Sequence, residues 1–177
     1  MMAELHPTIE DKVDYLYQRA MITDVVSRFF FSLDRKSWDE AASCLTDPIS
    51  FGVPGGNLDD PAVSGAPVAR ADLMAGVEAR NGGFHQTIHM HPNPVVSIDG
   101  DCARYESYQA APHSLGPTAE DTFCTWGFYD VALRRIGGEW KIERMTVDVR
   151  LSTGGDMAEN FRRALERGTR LMTGGAK

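Results

Sequence analysis

Four of the five histidines in this 177-residue chain, His85, His89, His91 and His113, fall within a stretch of 29 positions, and His6 alone lies outside it. An imidazole with an ordinary pKa of about 6.5 takes up and returns a proton at neutral pH, so proton transfer is the chemistry to look for here. Three of the four sit in Phe84-His85-Gln86-Thr87-Ile88-His89-Met90-His91-Pro92-Asn93-Pro94, where two prolines remove ladder hydrogen bonds and predict a sheet edge or a bulge. A two-residue turn at Asp99-Gly100 would pair Ile98 with Asp101. It would also set Val96, Ile98, Ala103, Tyr105, Ser107, Gln109, Ala111 and His113 on one face, with His89 on the other. One extra residue between His91 and Pro94 reverses that parity and brings His89 opposite Gln109, on the face of His113. Gln109 and His113 are then separated by about 13 Å of strand, which predicts that the two imidazoles grip opposite ends of a ring-sized ligand without touching.

A histidine base in an apolar setting needs a carboxylate to hold its tautomer and stabilise the imidazolium. Asp34, in Phe29-Phe30-Phe31-Ser32-Leu33-Asp34, is the candidate. It ends a helical pattern, where a negative charge opposes the helix dipole, and a residue that breaks a local rule is a functional candidate. The alternative is that Asp34 only begins the turn before Ser37. A metal centre on His85, His89 and His91 is disfavoured, because no cysteine or paired acid lies near and a single element rarely supplies a whole site. No phosphate-binding glycine loop is present, and Ser32, Ser107 and Ser114 lack the context of a nucleophilic serine. Of Phe29, Phe30 and Phe31, only one or two can line a cavity, since successive helix positions turn by about 100°.

The elements that must position these groups follow from periodicity. Val13, Leu16, Tyr17, Ala20, Met21, Val25, Phe29 and Leu33 recur at steps of three and four, predicting one long helix over 11–33 or two joined near Arg19. Ser37 with Glu40 reads as a capping box opening a short helix. Residues 46–51 read as a strand, 52–67 as a glycine- and proline-rich loop of lid type, and 69–80 as a helix stopped by Asn81-Gly82-Gly83. Beyond residue 83 the period changes to that of strands over 84–98, 102–113, 122–135 and 139–151, joined by Asp99-Gly100 and Gly137-Gly138 hairpins. Asp156 caps an amphipathic helix over 156–172. Helices first and a curved antiparallel sheet second predict an α+β, cone-shaped barrel with a cavity between sheet and helices.

Composition narrows the class. The length suits one domain over 1–177, with its core at 10–151. A hydrophobic fraction of 42% and a charged fraction of 24% are those of a folded globular chain. A net charge of −7 argues against nucleic acid as partner. Cys44, Cys102 and Cys124 form no close-spaced motif, and no apolar run reaches the roughly 18 residues of a bilayer span, so a cytoplasmic, membrane-free protein is expected.

Taken together, the run from Ile22 to Leu45 with Leu33-Asp34-Arg35-Lys36-Ser37-Trp38, the Thr87-Ile88-His89 strand, the Ile98-Asp99-Gly100-Asp101-Cys102-Ala103 hairpin and Gly138-Glu139-Trp140-Lys141-Ile142 resemble the SnoaL-like branch of the nuclear transport factor 2-like superfamily, over roughly residues 10 to 151. Within it the chain is similar to scytalone dehydratase, bile acid 7α-dehydratase and lindane dehydrochlorinase. That resemblance implies a cofactor-free lyase with an Asp34–His89 dyad, His89 removing a proton and His113 helping a leaving group depart. The dehydratases carry tyrosines where this chain has Leu33 and Phe29, so their role falls vacant. Tyr15, Tyr105, Tyr108 or Tyr129 is the substitute, with Phe29 and Trp126 as further substrate contacts.

The expected function is elimination of water, halide or formaldehyde from a small apolar cyclic or aromatic compound, with no cofactor and no metal, in a homo-oligomer, trimer or dimer. The alternatives are a non-catalytic binding module or dioxygenase β subunit, in which the dyad is a buried polar pair, and an isomerase or polyketide-type cyclase using the same base.

Overall fold

Residues 7–54 and 64–174 are described by the computed structural model. The first helix, α1 (Ile9–Arg35), is continuous; Thr8 and Asp11 form a reciprocal capping box at its start, and Ile22, Val25, Val26, Phe29, Phe30 and Leu33 are its buried stripe. It ends at Lys36, whose φ of 60° closes the last turn. The short helix α2 (Trp38–Ser43) follows Ser37, but Ser37 makes no side-chain cap bond, so the capping box expected with Glu40 is not formed. Strand β1 (Leu45–Gly52) comes next. The span expected as a loop ends in a strand, β2 (Ser64–Val68), paired antiparallel with β1; positions 55–63 of that span lie outside the described residues.

Helix α3 (Arg70–Asn81) leads into β3 (Gln86–Thr87), β4 (Val95–Asp99), β5 (Cys102–Ser114), β6 (Thr122–Ile136), β7 (Glu139–Gly154) and helix α4 (Met157–Met172). The described residues form one curled seven-stranded sheet in the order β2-β1-β7-β6-β5-β3, with β4 also on β5. All pairings are antiparallel except β1 with β7. Burial alternates along β5 and β6, so the odd-numbered residues from Ala103 to His113 and from Phe123 to Leu133 face inward, glycine at 127 excepted. The main core fills the space between this face and α1.

Two details of register set the site. The β4–β5 turn is Gly100-Asp101, not Asp99-Gly100, because Asp99 pairs with Cys102. Gly100, with φ 58°, takes the first central position that glycine holds in type II′ turns. The prolines at 92 and 94 flank Asn93 at φ 59°, and across this bulge the register slides by one residue: Val95 faces Glu106, while Met90 faces Ala110 and Thr87 faces His113. The parity reversal expected from the prolines is therefore present.

Helix α4 closes one end of the cone. Asp156 caps it by accepting from Glu159 N–H at 3.1 Å, and a second buried cluster forms from Phe84, Phe123 and Ala164 with Leu115, Met157 and Phe161. Gly82 is right-handed, so the glycine pair after α3 is not a left-handed stop. It serves close approach instead, since a Cβ on Gly83 would lie 1.7 Å from the Ala164 carbonyl, and one on Gly168 would lie 1.9 Å from the Ala79 carbonyl. Gly168→Ala is expected to destabilise the fold by about 1–3 kcal/mol through this overpacking; urea unfolding that leaves the midpoint unchanged would refute the close-packed α3–α4 contact.

Candidate active site

Asp34, in the last turn of α1, reaches across to the segment that follows β3. One carboxylate oxygen accepts from the Thr87 hydroxyl at 2.8 Å and lies 2.6 Å from His89 Nδ1, and the other accepts from the His89 backbone N–H at 2.9 Å. The pair is nearly enclosed, with side-chain exposures of 10% for His89 and 13% for Asp34. Burial pushes the Asp34 carboxyl up. The ring hydrogen bond and charge of His89, its backbone N–H and the Thr87 hydroxyl outweigh that and hold the group below its ordinary value. A carboxylate at Nδ1 places the ring proton there and leaves Nε2 with its lone pair, the arrangement of a general base.

Phe30, not Phe29, is the aromatic residue against the dyad. Its ring stacks on His89 at 5.6 Å and His91 at 5.2 Å and meets Tyr129 at 4.6 Å, while Phe29 backs it edge-on at 5.5 Å. His91 Nδ1 is bonded to the Tyr105 hydroxyl at 2.6 Å, and burial, helped by His89, lowers its pKa. His85 is exposed. Among the described residues no three His, Cys, Asp or Glu side chains come together to hold a metal ion.

His113 is not on the far side of a ligand from His89. The two rings meet edge-to-face with centroids 5.3 Å apart, because the slid register sets His89 level with Ala111, two residues from His113, where Gln109 at four had been expected. His113 is enclosed by Phe84 at 5.0 Å, Phe123 at 5.1 Å and Phe161 at 5.2 Å. Burial first, then the nearby His89, push its pKa down to about 3. It is neutral at physiological pH. Its Nδ1 lies 2.8 Å from the Ala111 carbonyl, so Nδ1 carries the proton and Nε2 is an acceptor. A proton donor to a leaving group, the role the resemblance implies, does not suit that state.

Of the tyrosines offered in place of the missing one, Tyr105 and Tyr129 lie inside, and of these two Tyr129 is the one not bonded to His91. Tyr15 is 44% exposed and donates to the Val96 carbonyl. Tyr108 is 55% exposed and Trp126 is 42% exposed; both are even-numbered, so they lie on the outer face of the sheet, away from the dyad. Tyr105 is buried but committed to His91. Tyr129 is 2% exposed, packs on Phe30, and burial drives its pKa far up, so its hydroxyl keeps its proton. Phe84, Phe123, Phe161 and Thr125 carry no motif that marks them as site residues; Thr87 shares strand parity with His89, and Phe30 is one of the three consecutive phenylalanines of which only one or two can line a cavity.

Residues 14–146 match the model of the SnoaL-like domain. No functionally curated protein matches the chain. Similar solved structures include Kfla4162 of Kribbella flavida, at 26% identity over 81% of this chain and 96% of that one with a TM-score of 0.67. A protein from Novosphingobium aromaticivorans, provisionally assigned as a scytalone dehydratase, is 18% identical over 81% of this chain and 91% of its own, with a TM-score of 0.65. The hexachlorocyclohexane dehydrochlorinase LinA-type3 of Novosphingobium barchaimii is 19% identical over 82% and 95%, with a TM-score of 0.64. At such identities the last two show a shared fold.

The titrations have a definite sign. His113 has a folded pKa of about 3 against about 6.5 when unfolded, so its contribution is complete above pH 6.5 and is lost as pH falls towards 3. Asp34, held low, adds a second loss once pH drops below the ordinary carboxylate value of about 3.9. Melting temperature is expected to fall between pH 6.5 and 4, and His113→Phe to flatten that slope; an unchanged slope in the variant would show that His113 is not held neutral.

Proposed function

Because this chain belongs to the SnoaL-like family, we propose that it is a cofactor-independent lyase in which His89, oriented by Asp34, removes a proton from a small, largely apolar cyclic or aromatic substrate. The observation that carries this reading is that one carboxylate holds both the ring N–H and the backbone N–H of the same histidine. That leaves His89 little freedom except to present Nε2. The Asp34 charge is kept within 2.6 Å of the imidazole, where it stabilises the imidazolium as it forms, and the low-dielectric setting strengthens that interaction. The electron pair left on carbon forms the new double bond as the leaving group departs.

The neutral state of His113 favours a second reading, an isomerase or cyclase, because a leaving group would then find no cationic acid at His113, whereas a proton shift needs none. Both readings use the same base. A panel of hydroxylated and halogenated cyclic compounds followed by mass spectrometry separates them, since only a lyase releases a second small molecule. His89→Ala is expected to lower turnover by roughly 10²–10⁴-fold, and Asp34→Asn to act in the same direction. Undiminished turnover by folded His89→Ala protein would remove the base from both readings, and inactivity of the wild type on the whole panel would favour a binding module.

We also propose self-association through the outer sheet face. There Tyr108 and Phe128 are cross-strand partners with rings 5.5 Å apart, and Trp126 pairs with Leu151, all exposed. Sedimentation is expected to show a dimer or trimer that Trp126→Glu dissociates; a monomeric wild type would refute it.

A further inference from the structure

The inner face carries three buried polar atoms that make no hydrogen bond of acceptable geometry: Ser107 Oγ, Gln109 Oε1 and the Tyr129 hydroxyl. Ser107 and Tyr129 are direct cross-strand partners, and Gln109 stands opposite Gly127, which has no side chain. The Gln109 side chain lies close enough to lower the Tyr129 pKa, and Ser107 does the same to Tyr105, yet neither contact reaches hydrogen-bond geometry. The three residues are 6%, 4% and 2% exposed. Leaving a buried polar atom unpaired forfeits its hydration with nothing in return, and native folds keep few of them. Three on two neighbouring strands, with Tyr129 touching the Phe30 ring that stacks on His89, are unlike a packing defect.

Their donor and acceptor pattern is specific. Gln109 Nε2 already donates to Thr125 Oγ1 at 2.6 Å, which orients the amide and leaves Oε1 as a pure acceptor. Tyr129 is un-ionised and offers a donor. A carbonyl would satisfy Tyr129 and Ser107 but not Gln109 Oε1. A carboxylate would face that oxygen and the Asp34 charge, which already acts on Tyr129, and neither Lys nor Arg belongs to the group. A hydroxyl fits, donating to Gln109 and accepting from Tyr129 or Ser107.

We propose that Ser107, Gln109 and Tyr129 form a subsite for a neutral hydroxyl group of the substrate, an alcohol or a phenol, beside the Asp34–His89 dyad. This rests on the reading that a small cyclic compound is the substrate of His89, and it names the functional group such a compound carries.

The test is ligand-observed NMR titration of the full chain with phenol, toluene and benzoate, on wild type, His89→Ala, Gln109→Leu and Tyr129→Phe. Wild type and His89→Ala are expected to bind phenol at least tenfold more tightly than toluene or benzoate, and Gln109→Leu and Tyr129→Phe to lose that preference. Without ligand, Tyr129→Phe is expected to melt at or above the wild-type temperature, because it removes an unpaired hydroxyl. Equal binding of phenol and toluene, benzoate binding as tight as phenol, or a preference that survives both subsite variants would overturn the proposal. So would a lower melting temperature for Tyr129→Phe, which would mean that the hydroxyl is already paired in the free protein, or a crystal structure in phenol with only a water on the three atoms. A chain that prefers phenol through these residues but eliminates nothing supports the subsite and removes only the lyase reading.

Discussion

The Asp34 carboxylate joins the end of the long helix to the sheet edge that carries the histidines. It accepts from the Thr87 hydroxyl, the His89 backbone and the His89 ring, so a segment with only two residues of regular strand at its start is held at three points. Two residues along, the Lys36 ammonium donates to the Phe84 carbonyl at 2.8 Å and to the Gly82 carbonyl at 3.3 Å. One helix end thus fixes both the entry to β3 and the imidazole beyond it. The carboxylate stands at the dipole-unfavourable end of α1, and the bonds it makes across the cone offset that cost.

From this tie the interior divides into two chemically different regions. Around His113 the neighbours are Phe84, Phe123 and Phe161, sealed by α4 through contacts that only glycine at 83 and 168 allows. Towards Tyr129 the same two strands present Ser107, Gln109 and Thr125. His89 borders both, with His113 edge-on to its ring and Phe30 stacked on it. The apolar side keeps His113 neutral, while the hydrogen bonds of the dyad keep the Asp34 carboxylate ionised beside His89. Phe30 touches the rings of His89, His91 and Tyr129, and Phe29 packs edge-on behind it.

Much of this frame was legible in the residues. Period 3.6 along α1 and α4, period 2 along β5 to β7, and the Gly137-Gly138 turn describe local preferences that the fold does not override. The prolines at 92 and 94 announced a break in the ladder, and a break of one residue necessarily turns His89 to the other face. The inward set Tyr105, Ser107, Gln109 and His113 also follows from alternation alone. The parallel pairing of β1 with β7 did not, because no local pattern encodes which distant strand lies alongside.

Chain chemistry alone therefore specified which residue types face inward, that Asp34 is a candidate carboxylate for a histidine base or else the start of a turn, and the class of fold; the pairing of Asp34 with His89 came from the resemblance to the SnoaL-like branch. Chain chemistry did not specify distance. Whether two histidines sit 13 Å apart or in ring contact depends on a turn displaced by one residue and a bulge of one residue, and such shifts change neither composition nor periodicity. Nor did it specify which tyrosine lies inside with its hydroxyl unpaired, or that His113 is too buried to hold a proton. Burial, register and the protonation they impose are properties of surfaces brought together from opposite ends of the chain, and they exist only once the sheet has curled and α4 has closed over it.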